Sequence, residues 1–349
     1  MKTTNIILAL ILIPVILFIL FLVHATTHDY RPEDVTPVGR HLSWDTISKE
    51  HIFSVLIWNI GYAGLDRNID FFYDGGKQVR PAKEQVYSNF ENICKFIAGN
   101  DTVDFILLQE IDKASDRSYK INEVLELRKK LGTYQCAFGK NYDVGFVPVP
   151  FTKPLGRVLS GIVTFSKHKP QQVYRYSFPG NYAWPKKIFM LDRCFLVSRF
   201  SLSDDRELVL INTHNSAYDD GTLRKTQMEY LKEYIQSEFA AGNYVLAGGD
   251  WNQCPPLFKP HFADQPFDTV DLNFINKDYL PESWKWVYDS LTPGNRRLSD
   301  KYLRGKTLTT VIDFYLLSPN IRTESIRTID LGFKNSDHQP VLATFKLLE

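Results

Sequence analysis

Polar clusters recur along the chain, each within or just past an apolar run. They are Trp58-Asn59-Ile60-Gly61, Gln109-Glu110, Asn212-Thr213-His214-Asn215-Ser216, Gly249-Asp250-Trp251-Asn252, Asp313 inside "VIDFYLL", and Asn335-Ser336-Asp337-His338. Carboxylates bind hard cations, imidazoles move protons, and carboxamides hydrogen-bond phosphoryl oxygens. Burying a carboxylate without a partner is costly, so Asp250 at the end of "VLAGGD" is poorly explained by structure alone. Taken singly, each cluster has an ordinary reading. An Asn after a strand is usually a turn residue, a Glu there a solvated end or an ion pair, and a His in a Thr-His-Asn turn a hydrogen-bonded loop residue. Their recurrence at successive strand ends is what several strands converging on one site would produce. In "LAGGDWNQ" an extended backbone alternates its side chains, which predicts Asp250 and Asn252 facing a ligand and Trp251 packing away.

Runs rich in β-branched and aromatic residues predict strands at 52–58, 104–109, 161–165, 194–200, 207–213, 244–248, 311–317 and 340–346. Helical stripes appear at 82–98 (Val86, Phe90, Ile93, Ile97) and at 222–240 (Leu223, Tyr230, Leu231, Tyr234, Ile235, Phe239), the latter with Thr222 placed to cap it. Strands mixed with helices predict a layered α/β protein with its sheets inside. Residues 255–310 are rich in Pro and aromatics and show no period, as expected of a long elaborated connection. There is no short-period repeat and no low-complexity tract.

The N-terminus differs from the body. Ile6 to Val23 is an unbroken apolar run containing Pro14, and as a helix it would be about 27 Å long, close to a bilayer core. Lys2 precedes it and no acidic residue appears before Asp29, which predicts an anchor with its C-terminal side outside the cytoplasm. Val23-His24-Ala25 resembles a cleavage site, so secretion after signal cleavage is the competing reading. The expected organisation is a transmembrane signal anchor over 1–25, a linker over 26–50 and one catalytic domain over 51–349. Net charge is +1, which supplies no basic field for nucleic acid and weakens a nuclease reading without excluding it. Cys94, Cys136, Cys194 and Cys254 lack zinc-type spacing and read as small buried hydrophobes, with disulfides permitted if the compartment is oxidising.

In order, "WNIG", "LLQEID", "INTHNSA", "GGDWNQ", "VIDFYLL" and "SDHQPV" resemble the endonuclease/exonuclease/phosphatase superfamily, which includes DNase I-like nucleases, abasic-site endonucleases, inositol-phosphate 5-phosphatases and neutral sphingomyelinases. The resemblance covers roughly 51–349. It implies a four-layer α/β sandwich with two central mixed β-sheets and a metal-dependent phosphoesterase using Mg²⁺, or Mn²⁺ or Ca²⁺. By the same resemblance Glu110 is the metal-binding glutamate, Asn59 the amide that orients that ligand or the ion, and Asp337 a second metal-side carboxylate. His338 matches the general base and Asp313 the carboxylate that holds its tautomer. Asp250 would position the attacking water or a second ion, Asn252 would bind a phosphoryl oxygen, and His214 would bind another or donate a proton toward the leaving group. Gly61 departs from the acidic residue that abasic-site endonucleases tend to carry there, which disfavours that branch.

Arg117 and Arg296 are candidates for a substrate phosphate. Arg80, Lys83, Lys120 and Arg297 are weaker ones, for which solvated charge is the ordinary reading. Trp284 and Trp286, with Tyr279 and Tyr288, line a groove or touch lipid, or more simply cover the core. The expected activity is hydrolysis of a lipid headgroup or small phosphoester by a membrane-tethered, extracytoplasmic monomer. A secreted or tethered nuclease is the first alternative, and a non-catalytic binding module on the membrane surface the second.

Overall fold

The computed structural model describes residues 2–40, 43–217, 219–259, 262 and 272–349. The side chain of Lys2, and residues 260, 261 and 263–271 of the expected 255–310 connection, lie outside what is described.

Along Ile52–Asn59, Val55 and Ile57 point to one face, Leu56 and Trp58 to the other, and all four are buried. A strand apolar on both faces must be covered twice, and the fold does this with four layers. One sheet runs, neighbour to neighbour, Ile321–Thr328, Val341–Leu347, Ile52–Asn59, Phe105–Asp112, Gly156–Ser166, Gln135–Val147. The other runs Val35–Arg40, Gln172–Ser177, Cys194–Leu202, Glu207–His214, Tyr244–Asp250, Asp313–Leu317, Lys285–Val287, with Thr46–Ile47 beside Cys194–Leu202. Both are mixed: Ile52–Asn59 pairs in parallel with Phe105–Asp112, and Glu207–His214 with Tyr244–Asp250, among antiparallel neighbours. Phe53, Val55 and Phe105 meet Phe200, Leu210 and Leu246 between the sheets. Helices Lys83–Ala98 and Glu123–Leu131 cover the outside of the first sheet, and Thr222–Ala240 covers the second.

The expected four-layer sandwich with two central mixed sheets is present. Several local expectations change. Within the expected 26–50 linker, Val35–Arg40 is an edge strand against Gln172–Ser177 and Thr46–Ile47 pairs with Ser201 and Leu202, so much of it belongs to the sheet. Strands Gln135–Val147, Gln172–Ser177 and Ile321–Thr328 are additions to the expected set; polar or charged residues interrupt each of them, so they lack a continuous apolar run. Gly221, not Thr222, is the residue before the 222–240 helix, and the Thr222 hydroxyl donates to Asp220 Oδ1 instead. Trp284 and Tyr279 are buried on the outer face of the second sheet, with Trp286 edge-on to Trp251 and Phe314, so this group covers the core. All four cysteines are free.

The glycines of "LAGGDWNQ" have a packing cause. Gly249 has φ +146°, and a Cβ there would stand 2.1 Å from the carbonyl oxygen of Thr213. The helix Lys2–Thr27 contains an apolar stretch, Asn5–Thr27, long enough to cross a membrane or to act as a signal sequence; its side chains are exposed along most of its length and partly covered at Phe21, Leu22, Ala25 and Thr26.

At the end of the sheets where Phe105–Asp112 begins, Asp104 accepts from the Ser54 backbone N–H at 2.8 Å and hydroxyl at 2.6 Å, and lies 3.1 Å from His51 Nε2 and 3.2 Å from His168 Nε2. Burial pushes its carboxyl up, but the hydrogen bonds from His168, Ser54 and His51 outweigh it and hold the group well below the usual carboxylate range. A depressed folded-state pKa contributes stability that is present above the unfolded value and lost as pH falls through the folded one. Asp104→Asn is therefore expected to cost roughly 1–3 kcal/mol at neutral pH. Its effect should shrink as pH drops below about 4; urea melts at pH 7 and pH 3 check both points.

Candidate active site

Three neighbouring strands end on one line across the second sheet. His214 lies beside Asp250, and Asp250 beside Asp313, which opens its antiparallel strand and so stands at the same edge. The facing sheet brings Asn59, the last residue of its strand, and Glu110. The loop entering Val341–Leu347 adds Asp337 and His338.

Glu110 does not terminate its strand, which continues to Asp112. Two residues, Gln109 and Glu110, are accommodated opposite one between the Leu108–Val163 and Ile111–Gly161 pairs, and Glu110 takes φ +51°. Bulges re-aim side chains at sheet ends, and a left-handed glutamate is a strained residue of the kind found at functional sites. Asn252 likewise has φ +51°. It reaches the cavity through a turn rather than by strand alternation: its N–H donates to Asp250 Oδ1 (2.9 Å) and its amide to the Asn215 carbonyl (2.9 Å). Trp251 packs away, stacked on Phe314. Gln109 and Asn212 hydrogen-bond each other between the sheets at 2.7 Å, outside the site.

At the centre, Asp250 Oδ2 accepts from Asn59 Nδ2 at 2.9 Å and lies 3.4 Å from His214 Nε2 and 3.8 Å from His338 Nε2. Glu110 Oε1 lies 3.8 Å from His214 Nε2, and Asp337 Oδ2 3.7 Å from His338 Nε2. His338 Nδ1 is 2.7 Å from Asp313 Oδ2. Trp58 Nε1 donates to the His338 carbonyl, and the Ser336 hydroxyl to the Asn59 carbonyl, tying the loop to the first sheet. Asn59 Oδ1 accepts from the Gly61 N–H, and its NH₂ orients the carboxylates of Glu110 and Asp250.

The donors fit a hard divalent cation. Burial, with Glu110 nearby, pushes the Asp337 carboxyl up to about 6 against the pull of His338 and Arg296. A bound cation would relieve that crowding, and an all-oxygen set suits Mg²⁺, Mn²⁺ or Ca²⁺. Asp250, Asp313 and His338 also converge closely, but the 2.7 Å contact between the last two is that of a hydrogen-bonded imidazole–carboxylate pair.

The two imidazoles are driven apart. Burial, reinforced by Arg193, His338 and Arg117, holds His214 well below the usual histidine range, hence neutral. Burial would lower His338 too, but Asp313, Asp337 and Asp250 outweigh it and push it well above that range. Asn295 Nδ2 lies 3.0 Å from His338 Nε2 and also faces the Asp337 carbonyl at 3.4 Å.

These groups line a cavity of about 430 Å³. Of the two arginines expected on a phosphate, Arg117 is buried, paired bidentately to Asp112 and stacked 3.7 Å over the Tyr62 ring. Arg296 donates to the carbonyls of Asp66, Ile69, Arg297 and Asp300. Both build the wall. Arg80 and Lys120 are engaged with Asp116, and Lys83 lies over Tyr87; Arg297 lines the cavity. The sequence reading missed Arg193, Tyr62 and Asn141. Arg193 Nη1, Tyr62 Oη and Asn141 Nδ2 are buried in the cavity lining without a hydrogen-bond partner among the described residues. Arg193 directly precedes a strand antiparallel to the one ending in His214, so only the pairing reveals its place.

No protein-family model matches the sequence, and no curated protein does. Solved structures do match. An endonuclease/exonuclease/phosphatase from Beutenbergia cavernae DSM 12333 superposes with a TM-score of 0.54 at 17% identity, over 85% of this chain and 72% of that one. The fold is that of the endonuclease/exonuclease/phosphatase superfamily. Two further examples of this fold are D. rerio TDP2 complexed with a single-strand DNA product (TM-score 0.53, 17% identity, 85% of this chain and 99% of that one) and ANGEL2, a 2',3'-cyclic phosphatase, with adenosine-2',3'-vanadate (TM-score 0.55, 17% identity, 87% and 98%).

Proposed function

We propose that the chain is a divalent-metal phosphoesterase, held by its N-terminal helix on the outer side of a membrane, that hydrolyses a phosphoester by direct attack of water. A lipid headgroup or other small phosphoester is the substrate class. The observation that carries this reading is the meeting of Glu110, Asp250 and Asp337 with two oppositely tuned imidazoles in one cavity. That superfamily phosphoesterases share the fold supports it.

A cation held by Glu110 and Asp337 would supply positive charge to the phosphate and to the developing negative charge. Asp250, fixed by Asn59 and the Asn252 N–H, orients water with Oδ2 and accepts its proton. As the water oxygen bonds phosphorus and the bond to the leaving oxygen breaks, His338, fixed by Asp313, gives its Nε2 proton to that leaving oxygen. His214, neutral, hydrogen-bonds a phosphoryl oxygen through Nε2–H. Arg193, Tyr62 and Asn141 bind what remains of the substrate. Donors on one side and cation on the other face the charge that grows in the transition state.

The test uses the full chain stripped with EDTA, then given Mg²⁺, Mn²⁺ or Ca²⁺ and offered sphingomyelin, phosphoinositides, supercoiled plasmid and single-stranded DNA. The expected result is metal-dependent hydrolysis of a lipid phosphoester; activity that survives chelation removes the mechanism. Cleavage of DNA alone would favour a tethered nuclease, a reading that draws on the DNA-bound TDP2 structure but finds no support in a net charge of +1. Arg193→Ala should raise KM about tenfold or more, the worth of one hydrogen bond to a charged group, with a smaller change in kcat; steady-state kinetics check the split.

A further inference from the structure

Two segments outside the catalytic cluster carry exposed aromatic and apolar side chains. In the hairpin joining Gln135–Val147 to Gly156–Ser166, Phe146 and Val149 are exposed, and Phe151 is 94% exposed. In the segment preceding Cys194–Leu202, Trp184 is 55% exposed. Exposed apolar side chains gathered in neighbouring segments, rather than scattered singly, mark a surface that meets a partner or a membrane.

The end of the N-terminal helix lies against these same segments. Phe21 stacks on Phe189 (5.8 Å) and meets Phe146 edge-on (6.2 Å), and Trp184 Nε1 donates to Thr26 Oγ1 at 3.1 Å. The following chain is held down where Lys140 lies 3.7 Å over the Tyr30 ring. An apolar stretch over Asn5–Thr27 is about 34 Å long as a helix, little more than a hydrocarbon core, so its final turns emerge at headgroup level. Residues that touch Phe21 and Thr26 stand at that level too. Lys153, Lys186 and Lys187 in the same segments suit lipid phosphates.

The cavity belongs to the same side. Leu155 from the hairpin, and Tyr182, Lys186, Met190 and Leu191 from the second segment, line it. We propose that residues 146–153 and 182–189 form a rim that docks on the bilayer, Phe151 and Trp184 entering the headgroup layer, so that the cavity takes its phosphoester from a phospholipid still seated in the membrane. This rests on the catalytic reading above for the substrate, but not for the docking.

The test uses the full chain in vesicles of phosphatidylcholine and phosphatidylserine, some brominated near the top of the acyl chain. Quenching of tryptophan emission should be larger in the parent than in Trp184→Phe; equal quenching overturns the docking, whether or not any phosphoester is hydrolysed. Phe151→Ser, at a position too exposed to affect folding, should lower hydrolysis of vesicle phospholipid by about tenfold and leave a soluble phosphodiester within about twofold, since interfacial binding follows buried apolar area. Equal loss on both substrates, or loss on neither, overturns delivery from the bilayer. Absence of all hydrolysis in the parent, with Trp184 still quenched, refutes the catalytic reading and leaves the docking standing.

Discussion

Replacing Asp250 by Asn is expected to lower kcat for phosphoester hydrolysis by about 10²–10⁴-fold, the usual worth of a positioned proton acceptor. The carboxylate is 2% exposed, and its Oδ2 sits at the centre of the cavity beside Asn59, His214 and His338. Asn keeps the shape and leaves Oδ1 to receive the Asn252 N–H. It removes the charge that takes the water proton, and it sets a second NH₂ against that of Asn59. Because a proton is accepted as the transition state forms, kcat should fall and KM change little. Circular dichroism and a urea melt separate this from unfolding. A folded Asp250→Asn protein with kcat within tenfold of the parent would remove Asp250 from the chemistry.

Glu110→Gln should act first on the cation. Glu110 is strained at φ +51° within a bulge that aims it between His214 and Asn59, a cost repaid if its carboxylate is a ligand. Loss of one anionic donor from a set of two or three should weaken divalent-ion binding by more than the roughly 10–100-fold that loss of a supporting outer partner brings. Activity at fixed low Mg²⁺ should collapse and recover partly at high Mg²⁺. Calorimetric titration with Mn²⁺ gives a readout that needs no substrate. Unchanged cation affinity would exclude Glu110 as a ligand.

The two substitutions also separate roles that are mixed in the sequence. Asp250 and Asn252 looked like a pair presented by strand alternation; the strand stops at Asp250, and Asn252 arrives through a left-handed turn. Gln109 and Asn212 stand in the same polar clusters and instead bridge the sheets, Gln109 Nε2 donating to Asn212 Oδ1 and Asn212 Nδ2 to the Val163 carbonyl. Arg296 gives its Nη donors to four backbone carbonyls, which leaves only Nε without a partner among the described residues.

By itself the sequence determined the layer plan and the set of acid, amide and imidazole groups at one edge of it. Apolar runs buried on both faces demand cover on both faces, and charges at the ends of such runs have nowhere to go but the sheet edge. Half-exposed strands such as Ile321–Thr328 left no such mark, since their apolar content is low. Tertiary structure alone decided the opposite electrostatic surroundings of the two histidines, with three carboxylates around His338 and three cationic groups around His214 drawn from remote parts of the chain. It also decided which arginine is available, because Arg193 lies at the site only through antiparallel pairing with the strand that ends in His214. Periodicity in a sequence reports what an element buries, while the field at a side chain is set by whichever distant groups folding brings beside it.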